Sequence, residues 1–354
     1  MPSDPSADGT RSRARLAEVA SLADVSVSTV SKVLNGRSGV SSETRARIEA
    51  LLSEQQYNRR ASKRPVAPLL EVLCYELDSP FASEVIASIE VATRAQRIGM
   101  VLTGATAQHL PEPSWVEDVL QRQPIGVVLV ACLLPLAAKQ QLRSRNIPIV
   151  LVDPAGGTPA PDVPAIGSAD WSGGYQATRH LIDLGHRRIG IITGPQDMLA
   201  STARLSGYRT ALESAGIEAD PQLIRPGEFH HADGLNEGRA LLSLPERPTA
   251  IFASSDLYAL GVYEAARSAG LAIPGDLSVV GYDDLHIARW AGPALTTVHV
   301  PLVAMAEQAV HLVMRLGDEP ELAFSRIDID TSLVVRGSTG APSGSIAVAK
   351  ISSK

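Results

Sequence analysis

The chain has 354 residues, 45% of them hydrophobic and 20% charged, which is enough apolar material to bury a sizeable core over two or three domains and excludes a disordered or fibrous protein. Its formal net charge of −6 argues against a uniformly basic nucleic-acid binder. The average conceals a split, because residues 1–64 hold eleven Lys/Arg against seven Asp/Glu while residues 65–354 hold 21 against 31. The first sixth of the chain is electrostatically a different object from the rest.

Residues 1–14 are polar, with Ser, Asp and Pro at their start, and lack the apolar stretch of a secretory signal, so they read as a disordered tail on a cytoplasmic protein. Three short helical patterns then fill residues 15–57. Leu16, Val19, Ala20 and Ala23 recur at helical spacing before Asp24, a turn residue. Ser26 can cap a second helix whose inner face is Val30, Val33 and Leu34, with Val25 stapling onto Val30. Ser41 can cap a third, with Glu43 near its positive end and Ile48, Leu51 and Leu52 as its apolar stripe. Helix, tight turn and helix from Leu16 to Leu34 has helix-turn-helix spacing, which places the second helix in a DNA major groove. The outward residues Val27, Ser28, Thr29, Ser31 and Lys32 suit that role: hydroxyls reach phosphates or base edges, Lys32 can donate to guanine, and Val27 can lie against a thymine methyl. A plain three-helix bundle is the alternative.

Residues 58–68 carry Arg59, Arg60, Lys63, Arg64 and two prolines with almost no apolar content, and read as a basic hinge or linker. Beyond it, apolar strands alternate with amphipathic helices. Glu71–Leu77, Met100–Leu102, Gly126–Val130 and Ile147–Val152 read as strands, and the rhythm repeats through Arg188–Thr193, Leu223–Arg225, Thr249–Ala253 and Ser278–Tyr282. Helices are expected near 172–184, 201–215, 233–243 and 256–269. The predicted fold class is α/β: an all-α head followed, over residues 69–338, by a core of two doubly wound parallel-sheet lobes. Residues 339–354 are small and polar and read as a disordered C-terminal tail. The longest apolar run, Ile125 to Ala138, is too short for the roughly 20 residues of a membrane span and is broken by Pro135, so no membrane partner is expected. Cys74 and Cys132 have no CxxC spacing or His cluster beside them, so neither a disulfide framework nor a zinc site is expected, and no cofactor is implied.

Read as letters, Leu16 to Tyr57 resembles the DNA-binding domain of LacI-type bacterial repressors, above all VSVSTVSKVLNG followed by VSSETRARI. The resemblance continues through LIDLGHRRIGIITGP (Leu181–Pro195), ARLSGYRTAL (Ala203–Leu212), the stretch from Thr249 to Asp284 that ends in VVGYDD, and LTTVHVP (Leu295–Pro301). It implies a core like that of periplasmic sugar-binding proteins, a small effector between the lobes, and a homodimer whose two heads read a palindromic double-stranded DNA operator. By matching position, Val27, Ser28 and Lys32 would read bases, and Ser26, Thr29, Ser31, Asn35 and Thr44 would hold phosphates.

The hinge departs from the family pattern. The usual Pro-Asn pair and the leucine that wedges into the minor groove are absent, and Pro65 ends any helix. Arg59, Arg60, Lys63 and Arg64 would then read a narrow minor groove or phosphates by charge, unless they are only a linker's solvated charges.

In the core, the resemblance implies effector contacts from Ser79, Phe81 and Asp153 in the first lobe and from Arg204, Phe229, Ser255 and Asp283 in the second. Ser255 departs from the family's usual Asn and offers fewer hydrogen bonds. Carboxylate, guanidinium, hydroxyl and aromatic groups together suit a sugar. Duller readings stay open: Asp256 and Asp283 as helix caps, Arg204 as a surface ion pair, Phe229 as core, Tyr282 as core, and Trp171 as either cleft or packing. The sequence lacks GxxxxGK[ST], GxSxG and HExxH, and the adjacent His230 and His231, on opposite faces if in a strand, read as a surface pair, so catalysis is not expected. The expected function is a repressor of carbohydrate-utilisation genes released by a sugar. A cytoplasmic sugar-binding protein without DNA function and a regulator whose ligand is a co-repressor are the alternatives.

Overall fold

The structure is a computed structural model and describes residues 17–34, 39–54, 68–105, 113–154, 163–317, 319, 322 and 326–343. The expectations placed on Asn35 and on Arg59, Arg60, Lys63 and Arg64 fall outside this set, as do those on residues 1–14 and 344–354.

The head consists of α1 (residues 17–22), α2 (Val27–Leu34) and α3 (Ser42–Glu54). Val19, Ala20, Ala23, Val30, Val33 and Ile48 form one small buried cluster, with Val25, Leu51 and Leu52 packed against it. Asp24 makes the turn between α1 and α2 at φ 50°, a left-handed conformation that Asp tolerates better than most residues. Both expected caps form, since the Thr29 amide donates to Ser26 Oγ and the Thr44 amide to Ser41 Oγ, each at 3.2 Å.

The core has two six-stranded sheets. In chain order the first-lobe elements are β1 (Leu69–Tyr75), α4 (Pro80–Ala95), β2 (Gly99–Ala105), α5 (Pro113–Arg122), β3 (Gly126–Val130), α6 (Leu136–Arg143), β4 (Ile149–Val152) and β5 (Ala165–Ser168). There follow α7 (Asp170–Asp183), β6 (Ile189–Thr193), α8 (Leu199–Ser214), β7 (Ile224–Pro226), α9 (His231–Leu242), β8 (Ala250–Ala253), α10 (Asp256–Ser268), β9 (Ser278–Asp283), α11 (His286–Trp290) and β10 (Thr296–His299). The chain ends in α12 (Leu302–Leu316), β11 (Arg326–Ile329) and β12 (Ser332–Val334). Strand order is β11-β5-β4-β3-β1-β2 in the first sheet and β12-β10-β9-β8-β6-β7 in the second. Every pairing is parallel except β10 with β12. Wholly apolar β3 and β4 are buried along their length because helices cover both faces.

The chain crosses between lobes three times, which the alternating pattern alone does not reveal. It leaves the first lobe after β5 to form α7 on the second, returns after β10 to form α12 against α4, β3 and β4, and crosses again between β11 and β12. Two crossings are bonded to each other: the Ala169 amide donates to the Ile329 carbonyl at 2.9 Å, and the Thr331 hydroxyl donates back to the Ala169 carbonyl.

The disordered C-terminal tail expected from residue 339 needs correction at its start. Thr339 Oγ1 lies 2.9 Å from His180 Nε2, and the Gly340 carbonyl accepts from the buried Ser278 hydroxyl at 3.1 Å and lies 2.9 Å from His186 Nε2. These buried partners tie the first tail residues to the second lobe. His230 and His231 also do not lie in a strand; they begin α9, each near a different carboxylate.

Candidate functional site

On α2, the burial of Val30 and Val33 turns Val27, Ser28 and Lys32 to solvent, with Thr29 and Ser31 half-buried beside them. Val27 is 44% exposed, which leaves its methyl groups open to contact from outside the head. Ser26 Oγ sits 2.7 Å from Ser28 Oγ and 2.8 Å from Thr29 Oγ1, so one hydroxyl cluster crowns the N-terminus of α2. Thr44 Oγ1 accepts from the Ser41 hydroxyl at 2.7 Å, at the corresponding end of α3. Two helix N-termini with outward hydroxyls and a lysine on the intervening face can hold phosphates and present groups to base edges.

The second constellation lies at the C-terminal ends of the parallel strands, where ligands bind in doubly wound sheets. Its centre is Arg204 on α8, 4% exposed. Arg204 Nε donates to Asp170 Oδ1 at 2.8 Å, Nη1 donates to the Ser254 carbonyl at 2.8 Å, and the same Nη1 lies 3.9 Å from Asp283 Oδ1. The guanidinium carbon sits 3.7 Å from the Tyr282 ring centre. This geometry depends on glycine, because a Cβ at Gly207 would meet the Trp171 carbonyl at 2.2 Å and one at Gly174 the Arg204 carbonyl at 2.3 Å. Without side chains there, α7 and α8 approach closely enough for Asp170 and Arg204 to pair.

Burial opposes the charge on Arg204, but Asp170, Tyr282, Asp283 and Asp153 outweigh it and raise its pKa, so the guanidinium stays protonated. The carboxylates respond in the opposite sense. Burial, with Asp170 nearby, pushes Asp153 up to about 6 despite Arg204. Asp283 is held well above the usual carboxylate range by burial, against the pull of Arg204 and with Asp256, Asp153 and Asp170 adding to the rise. One guanidinium thus faces more acidic groups than it can neutralise, a setting that favours ligands donating hydrogen bonds and disfavours anions.

The sequence-derived residues fall into three groups. Arg204 and Asp283 meet at the centre, and Asp153 joins them electrostatically from the first lobe. Phe229, at φ 63°, stacks on Tyr258 with ring centres 5.5 Å apart and lies 6.0 Å from the Arg204 guanidinium. Gly194 makes room for its ring, since a Cβ there would sit 2.1 Å from Phe229 Cζ. The hydroxyl oxygens of Ser79 and Ser255 cap helices, accepting from the Ala82 and Tyr258 amides at 3.2 Å, which leaves each hydroxyl able to donate, and Phe81 packs partly into the core.

Asp256 is no helix cap; its carboxylate accepts from the Leu285 amide at 2.7 Å and the Thr297 hydroxyl at 2.6 Å and ties α10 to β10. Trp171 stacks on Tyr175, 44% exposed, in an outer depression of about 360 Å³ beside Thr202, Ser206 and Arg326. Sequence reasoning missed Asp170, Ser201 and Ser254. Ser201 Oγ and Ser254 Oγ are buried without a hydrogen-bond partner, close to Gly194 and to the Arg204 contact respectively. Among the described residues no cluster of His, Cys, Asp and Glu could hold a metal ion, and no helix is long and apolar enough to cross a membrane.

Two family profiles match: bacterial regulatory proteins of the lacI family over residues 15–60, and a periplasmic binding protein-like domain over residues 178–339. The chain is 33% identical over 333 residues to the HTH-type transcriptional repressor CytR of Escherichia coli K12, covering 93% of this chain and 97% of that protein. It is equally 33% identical over 333 residues to the ribose operon repressor of the same strain, covering 92% and 99%. Among solved structures, the transcriptional regulator CelR bound to cellobiose matches with a TM-score of 0.70 and 32% identity over 91% of this chain and 99% of that one. A lac repressor dimer bound to operator and the anti-inducer ONPF matches with a TM-score of 0.67 and 26% identity, over 91% and 98%. The fold and the outward hydroxyls and lysine of α2 therefore define a helix-turn-helix transcriptional regulator with a periplasmic-binding-protein-like core. The chain belongs to the LacI family.

Proposed function

We propose that this protein is a homodimeric repressor of carbohydrate-utilisation genes that leaves a palindromic operator when a neutral sugar fills the cleft between its lobes. The observation that carries the sugar reading is the buried Arg204 set among Asp170, Asp283 and Asp153. Sugar hydroxyls both donate and accept, so they satisfy carboxylate and guanidinium together, while the Phe229 ring offers a face to sugar C–H groups. Arg204 is already paired with Asp170, so a phosphorylated sugar would have to compete with a carboxylate for it. The unpartnered hydroxyls of Ser201 and Ser254 add to the hydrogen bonding of Ser255, whose oxygen caps α10 while its hydroxyl can still donate.

In the head, Val27, Ser28 and Lys32 read bases, while Ser26, Thr29, Ser31, Asn35 and Thr44 hold phosphates. Arg59, Arg60, Lys63 and Arg64 add sequence-tolerant charge contacts at the hinge. Dimerisation is favoured by Trp290, 78% exposed, two and three residues before Gly292 and Pro293 in a depression of about 640 Å³ that Leu260, Tyr263 and Leu271 also line. Effector binding then acts by preferring one lobe arrangement, which sets the separation of the two heads.

The test is selection of genomic fragments by the purified protein, with and without a pooled sugar panel that includes cellobiose and ribose. A palindrome enriched without sugar and lost with it supports the proposal. Enrichment only with sugar reverses the sign of coupling and makes the ligand a co-repressor, and no enrichment under either condition overturns the DNA-binding reading.

A further inference from the structure

Two carboxylate–imidazole contacts link the lobes, each joining a glutamate of the first lobe to a histidine of the second. Glu84 on α4 places Oε1 2.9 Å from His286 Nδ1 and also accepts the His286 backbone amide at 2.6 Å. Glu76, just beyond β1 at φ 48°, places Oε2 3.6 Å from His230 Nε2. We infer that Glu84 with His286, and secondarily Glu76 with His230, form a clasp that positions the two lobes in the closed geometry and so sets how much effector the switch requires.

The placement of the four residues supports this role. Glu76 stands three residues before Ser79, and Glu84 three after Phe81. His230 follows Phe229 directly, and His286 stands three after Asp283. Each clasp residue thus stands within three residues of a position that the family resemblance implies at the cleft, so the clasp and those positions are carried on neighbouring backbone. All four are partly exposed, so neither pair bears the desolvation penalty of a buried bridge, and each contributes modestly.

The two pairs are not equivalent. His230 also faces Asp233 of its own helix at 3.7 Å and keeps that neighbour when the lobes part. His286 has the Trp290 ring 6.4 Å away on its own helix, and the residue that anchors its backbone amide is Glu84 of the other lobe. Opening therefore costs more at Glu84 than at Glu76. The inference concerns lobe geometry and is read without DNA, so its failure is distinguishable from failure of the repressor reading.

The experiment places spin labels on exposed residues of each lobe in the full-length protein, through Gln140→Cys and Ser214→Cys, and records the distance distribution without effector. Native Cys74 and Cys132 are buried and compete little for the label. Glu84→Ala is expected to lower the closed-distance fraction by about threefold or more, Glu84→Gln to restore part of it by keeping an acceptor for the His286 amide, and Glu76→Ala to have the smaller effect. Once a releasing sugar is identified by the selection above, the concentration needed for release should rise about threefold in Glu84→Ala with operator sequence preference unchanged. Thermal melts of Glu84→Gln guard against misfolding. Identical distance distributions in the unsubstituted protein, Glu84→Ala and Glu76→Ala would overturn the inference, as would the absence of a closed population in the unsubstituted protein.

Discussion

The two lobes share a topology but use buried charge in opposite ways. The first lobe buries Glu71 completely in the middle of β1 and pairs it with Arg122 at the end of α5, away from the cleft. The second gathers Asp170, Arg204, Asp256, Tyr282 and Asp283 at one end of its sheet, with two unpartnered hydroxyls among them. A paired ion with its bonds satisfied holds a fold together. A cluster with unequal charge and unmet hydrogen-bonding capacity awaits a ligand. If the cluster is the effector site that we propose, ligand discrimination resides mainly in the second lobe.

The comparison breaks most sharply at Arg204. Arg204→Leu leaves Asp170 and Asp283 buried without their cation and is expected to cost about 3–5 kcal/mol in urea unfolding and to abolish the sugar response. A loss below about 1 kcal/mol would mean that the cluster is solvated. Glu71→Ala is the matching change in the first lobe. Because Arg122 is 32% exposed and can turn to water, the expected loss is about 1–3 kcal/mol, with sugar release from the operator intact. If it instead altered the sugar response, the separation of roles between the lobes would fail.

A third contrast uses pH. Burial first, with Asp284 adding, pushes Asp256 up to about 7, against the hydrogen bonds from Thr297 and the Leu285 amide and the charge of Arg336. The folded chain then keeps a proton that the unfolded chain releases near pH 4. Stability from this group is complete below pH 4 and declines up to about pH 7, by at most about 1.4 kcal/mol per pH unit. Denaturant midpoints for Asp256→Asn should therefore fall less steeply across pH 4–7 than those of the unsubstituted protein. The smallest effect is expected outside both lobes, where Lys32→Ala should relax base preference by about 1 kcal/mol in competition binding without moving the melting temperature. Unchanged preference would remove Lys32 from the reading face.

Much of this architecture is legible in the sequence where burial is dictated locally. β3, β4 and β8 are continuous apolar runs between turn signals, and the caps at Ser26 and Ser41 are hydroxyls placed just before apolar stripes. By contrast, β5 (AIGS), β10 (TTVH), β11 (RIDI) and β12 (SLV) are three or four residues long, with Gly, Ser, Thr or charge in them. They become strands because neighbouring strands present an edge, which no local window contains. The site divides in the same way. Arg204, Phe229 and Asp283 stand in recognisable motifs, but Asp170 looks like any acidic residue in a helix's first turn, and its partner is 34 residues away. Ser255 stands where the family resemblance implies a ligand contact, and its hydroxyl oxygen also caps the helix that follows.

The three crossings also bear on how the protein is made. One face of the first sheet is covered by Met305, Ala306, Ala309, Val310 and Val313 of α12, and its β5 edge is completed by β11, which ends at Ile329. A nascent chain that has emerged as far as Pro301 holds five strands of the first lobe with that face covered only in part, by α4. The second lobe waits for β12, which ends at Val334. Neither half can finish while the other is still being synthesised, so the two lobes must be completed together, once the segment from α12 to β12 has emerged.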